Sequence, residues 1–173
     1  MIISPTGSED TTDPHKILPF KYPWARDLYK TGVANNWMPE EVGMQKDVEQ
    51  WKSPAVLSDA ERRLIKLNLG FFSTAESLTA NNIVLAVYRN VTNPECRQYL
   101  LRQAFEEAIH TDTFIYCCDS LGFDPDEIYT MYHSVLEIHN KDRFVINITK
   151  AVTIPQTHPV SYTHLTLPTI CSV

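Results

Sequence analysis

Arg97-Gln-Tyr-Leu-Leu-Arg-Gln-Ala-Phe-Glu-Glu-Ala-Ile-His-Thr111 is the stretch on which the reading of this chain turns. It contains no Gly or Pro and consists mostly of good helix formers. Asn93-Pro94 supplies a cap and a first-turn proline ahead of it, and Leu121-Gly122 supplies a stop behind it. Positions three and four apart run Leu100, Ala104, Glu107, His110, Phe114, Cys117, Leu121. A carboxylate and an imidazole therefore lie one turn apart on the face that should enter a core.

The preceding element repeats the anomaly. Ser58-Asp59-Ala60-Glu61 is a capping box, and the helix it opens should run to about Arg89. Its stripe is Ile65, Leu69, Phe72, Glu76, Ala80, Ile83, Val87, with one carboxylate in the middle. A third helix is expected from Asp124-Pro125-Asp126-Glu127 past Tyr132, with a break near Asn140. Upstream, Pro23 opens a short helix reaching about Thr31, before Gly32, and Asn35–Glu41 reads as a turn followed by a short helix. Long helices joined by short loops pack antiparallel, so the fold class is all-α, a helical bundle.

An isolated ionised carboxylate on a buried face must be protonated, matched by a cation or bound to a metal. Arg62, Arg63, Lys66, Arg89, Arg97 and Arg102 all lie off these stripes. Glu oxygen with His nitrogen suits Fe, Mn or Zn, and the lack of thiolate on this face disfavours a structural zinc site. Glu-x-x-His alone arises by chance in many helices, and a lone core histidine is commonly a hydrogen-bonded residue. Glu76 on the neighbouring helix tips the balance toward a metal. One Glu from a helix plus Glu-x-x-His from the next is half of the ferritin-like dimetal constellation.

Composition bounds the rest. The 173 residues carry 15 Lys plus Arg against 21 Asp plus Glu, a net charge of −6, which argues against nucleic-acid binding. The longest apolar run, Ile83 to Tyr88, is too short for a membrane span, and the N-terminus has no basic, apolar leader pattern. Of the four cysteines, Cys96, Cys117, Cys118 and Cys171, the last lies in the suspect C-terminal tail, and none forms a C-x-x-C pair, which fits a cytoplasmic protein. The expected organisation is an N-terminal arm over 1–22, a partial bundle over 23–158, and a non-native tail over 159–173. Residues 151–173 hold no Lys, Arg, Asp or Glu. Val160-Ser-Tyr-Thr-His-Leu-Thr-Leu-Pro-Thr169 back-translates, in register, to a transposase mosaic-end sequencing adapter; an ordinary exposed tail is the alternative, and the codons decide.

The run from about Lys21 to Lys150 resembles the small (β) subunit of class I ribonucleotide reductase, closest to the chlamydial-type class Ic form. The resemblance rests on Asn35-Asn-Trp-Met-Pro39, Leu69-Gly-Phe-Phe-Ser-Thr-Ala-Glu-Ser77, Asn81-Asn-Ile-Val-Leu-Ala86, Val91-Thr-Asn-Pro94 and the stretch quoted first. It implies the N-terminal half of a ferritin-like bundle, whose β subunit stores an oxidising equivalent in a dimetal cluster. That equivalent passes to a cysteine of the α subunit, which converts ribonucleotides to deoxyribonucleotides.

Carried onto this chain, the resemblance makes Glu76 the first-helix metal ligand, Glu107 the bridging carboxylate and His110 the first-site histidine. Phe114 stands where radical-bearing members have a tyrosine, which implies a mixed Mn/Fe cluster, with Fe/Fe as the alternative. Tyr116 lies about 200° around the helix and is a poor substitute. Trp37 matches the start of the radical-transfer route, coupled in the family to the histidine through an Asp of the second half. Implied partners are the α subunit and a second β subunit, with no nucleic acid and no membrane. Another ferritin-like dimetal oxidase or monooxygenase is the alternative enzyme reading, and a catalytically inert helical fragment is the alternative for the polypeptide itself. Glu106, Tyr88 and Tyr99 receive no role.

Overall fold

The computed structural model describes residues 17–153. The first sixteen residues of the expected arm and the whole 159–173 segment with its adapter reading lie outside them. All regular structure among the described residues is helical.

Two long helices form the frame. α3, Asp59–Asn81, begins as the sequence predicts: Glu61 N–H donates to Ser58 Oγ at 3.3 Å, and Ser58 N–H donates to Glu61 Oε2 at 2.7 Å. α5, Pro94–Leu121, is capped by Asn93, whose Oδ1 accepts from Cys96 N–H at 3.0 Å. It ends on Gly122 at φ +71°, a left-handed conformation that glycine adopts without a Cβ clash. Phe123 N–H then reaches back to Cys118 O at 3.0 Å, closing the last turn.

The helix expected to run unbroken to Arg89 changes character. After Asn81 it continues as a π-helical stretch, Asn82–Val87, and a last turn, α4, Tyr88–Asn90. The wider π turn rotates every following side chain relative to a 3.6-residue stripe, so Ile83 and Ala86 are buried while Val84 and Leu85 are exposed. The expected third helix is also redistributed. α6, Pro125–Tyr129, and α7, Met131–Ser134, are separated at Thr130, and extended Val135 precedes α8, Leu136–Thr153. Thr130 Oγ1 bonds Asp126 O at 2.5 Å, and Thr130 O receives His133 N–H at 2.9 Å, tightening the chain there. Asn140, where a break was expected, sits inside α8.

α1, Pro23–Ala34, runs through Gly32 instead of stopping before it, and lies along α5. A 3-10 turn over Pro39–Glu41 follows. α2, Gln45–Lys52, is a helix the sequence reading missed; it buries no residue, so it leaves almost no apolar period to read.

The main core gathers Cys118, Phe123, Ile128, Met131 and Ile138, with Trp51 and Leu67 against it. Gly70 packs closely here: a Cβ at that position would run into Met131 Sδ and lie 3.1 Å from Met131 Cβ, so the methionine would have to shift. A second cluster, Ala25, Val91 and Cys96, joins α1 to the start of α5. Beside it, buried Glu95 accepts the backbone N–H groups of Lys21 and Tyr22 at 2.6 and 2.7 Å, anchoring the entry to α1. Cys96, Cys117 and Cys118 are free thiols. No helix among the described residues is long and apolar enough to cross a membrane.

Candidate metal centre

α3 and α5 pack along each other, with Val91–Asn93 joining α4 to α5. This packing brings Glu76 of α3 to the Glu107/His110 pair of α5. One ligand atom from each of the three residues falls within 4.8 Å of the others. His110 Nδ1 lies 3.2 Å from Glu107 Oε2 and 3.5 Å from Glu76 Oε2. The i, i+3 spacing sets the first distance, and the helix crossing sets the second.

The electrostatics are those of a site short of positive charge. Burial pushes the Glu107 carboxyl up, and the neighbouring Glu76 carboxylate adds to that, against a partial offset from His110. Burial also works against the Glu76 carboxylate, but its contacts with His110 and Glu107 outweigh burial and leave it below the ordinary value. Hydrogen bonding to Glu107 first, and to Glu76 second, pushes His110 up to about 10. The imidazolium is the only cation these carboxylates find among the described residues. A divalent ion supplies more charge at the same place, and two carboxylate oxygens with an imidazole nitrogen form a donor set suited to Fe or Mn.

Trp37 sits next to this cluster. Its ring centroid is 6.2 Å from that of His110, with the planes inclined at 34°. Its indole N–H donates to Glu106 Oε1 at 3.1 Å, and the same oxygen lies 4.0 Å from His110 Nε2. Glu106, given no role from sequence, thus sits between Trp37 and His110. Arg102, counted off the stripes, is buried and paired: Nη1 lies 2.6 Å from Glu106 Oε2. The signal that could have found them is the i, i+4 spacing of Arg102 and Glu106 on a face adjoining the ligand face.

Phe114 stacks on Phe72 of α3, with centroids 5.4 Å apart and planes 8° from parallel. Phe72 is 38% exposed, so this end of the α3 stripe is not enclosed as a core position would be. Tyr116 points elsewhere, its hydroxyl donating to Val42 O at 3.1 Å.

The family described as "Ribonucleotide reductase, small chain" matches residues 14–164. This chain belongs to that family. It is 56% identical over 143 residues, 83% of this chain, to the ribonucleoside-diphosphate reductase subunit beta of Chlamydia pneumoniae, of which it covers 41%. Against the small chain of Trypanosoma brucei brucei the identity is 30%, over 75% of this chain and 37% of that protein. A ribonucleotide reductase R2 subunit from Clostridium botulinum superposes with a TM-score of 0.68 at 28% identity, over 76% of this chain and 41% of that one. The fold is accordingly part of a ferritin-like helical bundle, and the chain spans about two fifths of the length of these relatives. Small chains of this family carry a dimetal centre, and Glu76, Glu107 and His110 are the carboxylate/histidine cluster found among the described residues.

Proposed function

We propose that the protein containing this stretch is the radical-generating β subunit of a ribonucleoside-diphosphate reductase, an oxidoreductase that works with an α subunit and pairs with a second β subunit. The convergence of Glu76, Glu107 and His110 between α3 and α5 carries the proposal, and the family membership supports it. In this reading Glu76, Glu107 and His110 would hold one side of a dimetal site, with Glu107 in the bridging role that the resemblance to the family gives it. A bound Mn/Fe pair would supply the stored one-electron oxidising equivalent.

The protein's own residues set what happens around it. Glu76 and Glu107 bring negative charge that favours a high metal oxidation state. His110 turns Nδ1 toward them and Nε2 toward Glu106, so the second nitrogen is free to hold its proton. Phe114 presents a ring with no O–H to lose, which favours keeping the equivalent on the metals, the class Ic arrangement. Trp37, next to His110, is the residue through which the equivalent leaves toward the α subunit.

The test is a full-length subunit carrying Glu76 and Phe114, assayed for Mn and Fe, for reductase activity with its α subunit, and by electron paramagnetic resonance. Mixed Mn/Fe, turnover and no tyrosyl radical are expected. Equal iron at both positions with a tyrosyl radical would refute the class Ic assignment. For the 173-residue polypeptide itself we propose an inert helical fragment: three ligands converge among its described residues, and Phe72 next to them is part-exposed. Tight stoichiometric metal binding by it would overturn that.

A further inference from the structure

We infer that the protein carries a second binding site, a cleft where α2, α3, α6 and α7 meet, which takes a small organic carboxylate with an apolar body. The cleft has a volume of about 470 Å³, and the first turns of α3 supply half of its lining. It is separate from the metal centre, since Glu76 lies about 15 Å beyond Lys66 along the same helix. Buried Met131 and half-buried Trp51 and Leu67 give the cleft an apolar lining. Trp51 is held in place from two sides. Phe123 meets its ring edge-on with centroids 4.9 Å apart, and the Arg62 guanidinium lies 4.9 Å from its centroid.

The charges around that lining are unevenly matched. Arg62, Arg63 and Lys66 against Asp59 and Glu127 leave one positive charge in excess, in a chain whose net charge is −6. Arg62 spends its donors on neutral acceptors: Leu57 O at 3.3 Å, Ser53 O at 2.8 Å and Trp51 O. Those bonds tie the end of α2 to α3 and leave the guanidinium charge uncompensated. Lys66 is paired with Glu127 at 2.8 Å. Arg63 is exposed and has neither a hydrogen bond nor an ion pair with any described residue, Asp59 one turn before it included. A monoanion matches the excess charge, and a carboxylate matches the forked N–H donors of Arg63. The apolar lining beside it has no use for a bare inorganic anion; it covers a hydrocarbon body.

The test needs neither metal nor turnover, so it stands apart from the function proposed above. A full-length subunit is labelled with 13C-methyl methionine, and the Met131 resonance is assigned with Met131→Leu. Decanoate, kept below its micelle concentration, is the probe; decanol carries the same chain without the charge, and inorganic phosphate the charge without the chain. Saturable movement of the Met131 resonance is expected with decanoate, and binding of the other two should be weaker by about tenfold or more. Arg63→Gln, at an exposed position, should weaken decanoate about tenfold and leave decanol unchanged. Glu127→Gln should tighten decanoate, because it releases the Lys66 ammonium. No saturable movement at Met131 overturns the inference. Phosphate or decanol bound as tightly as decanoate overturns it too, as does a decanoate affinity that neither Arg63→Gln nor Glu127→Gln changes.

Discussion

α5 carries charge on two faces, and the two are built on opposite principles. Toward α1 and the Trp37 segment, Glu95, Arg102 and Glu106 each have complementary partners: backbone N–H groups for Glu95, a carboxylate and carbonyl-type oxygens for Arg102, a guanidinium and an indole N–H for Glu106. Toward α3, Glu107 and His110 have one another and a second carboxylate, Glu76. A buried charge that is fully matched holds a fold together; one that meets its own sign is costly unless something from outside arrives. The same helix shows both within a few residues, so the contrast comes from what faces it rather than from its own sequence.

The largest expected effect lies on the ligand face. Glu107→Ala in a full-length subunit should lower metal affinity by about a hundredfold or more, since loss of even an outer partner of a ligand costs tenfold to a hundredfold. Titration with Mn and Fe, followed by metal analysis after gel filtration, measures it. Removing a charge from a matched pair on the other face, by Glu95→Gln, should leave metal content unchanged. Equal loss of metal in both variants would break the distinction between the faces.

On the matched face the loss should appear in stability. Glu95→Ala removes two charge-assisted hydrogen bonds, those that the Lys21 and Tyr22 N–H groups donate to Glu95 Oε1, at about 2–3 kcal/mol. Burial acts against the Glu95 carboxylate, but the backbone N–H groups of Tyr22, Glu95 and Lys21 and the Asn93 side chain outweigh it and hold its pKa below the ordinary 4.5. Its ionised form is therefore favoured by folding. The stabilisation is present above pH 4.5 and lost as pH falls through the lowered value. The difference in unfolding free energy between the wild type and Glu95→Gln should shrink on acidification through that window. A constant difference would mean that packing, rather than the charge, anchors the entry to α1.

What could be read in advance divides along the same line. Glu76, Glu107 and His110 stood out because a helical period puts polar groups where apolar ones belong, and α3 and α5 do bring them together. The bounds of α5 followed from Asn93, Pro94 and Gly122, where local chemistry decides. The π turn after Asn81 has no local signature: no Pro or Gly marks it, and it appears only once α3, α5 and α8 pack around it. α2 lacks an apolar period, and the stop at Thr130 depends on side-chain bonds to preceding carbonyls. Arg102 and Glu106 look like an ordinary solvent-facing i, i+4 pair until α1 covers them.

Packing on the matched face gives a smaller effect. Gly32→Val pushes branched carbons into Arg102 Cγ, which a Cβ alone already meets at 3.1 Å. A loss of about 1–2 kcal/mol is expected, with metal binding retained. Gly32→Ala should fall near zero, because the better helix propensity of alanine offsets a contact that a few tenths of an ångström relieve. Thermal unfolding of the two variants side by side checks the ordering, and a Gly32→Ala variant as damaged as Gly32→Val would show that no slack exists at this crossing.

Asp142 sharpens the comparison from a third place. It lies on α8, is 4% exposed, and neither carboxylate oxygen has a hydrogen-bond partner. Here burial pushes the carboxyl above its ordinary 3.8, and His139 only partly opposes it. The protonated form is favoured by folding, so stability should decline as pH rises from 3.8 through the raised folded value and then level off. Asp142→Asn keeps the shape and removes the charge. At pH below 3.8 the variant and the wild type should be about equally stable, because a neutral carboxyl and an amide in the same place are similarly costly. Above it the variant should pull ahead, by an amount that saturates, and unfolding midpoints across pH 3 to 8 would show this. A pH-independent difference would place a cation or donor next to Asp142 in solution. Asp142 is buried like Glu107, but it lacks the hydrogen bond that His110 gives Glu107, and no second carboxylate or imidazole shares a ligand site with it among the described residues. An unpaired buried charge alone is a strain on the fold, and only convergence from two helices turns such strain into a binding site.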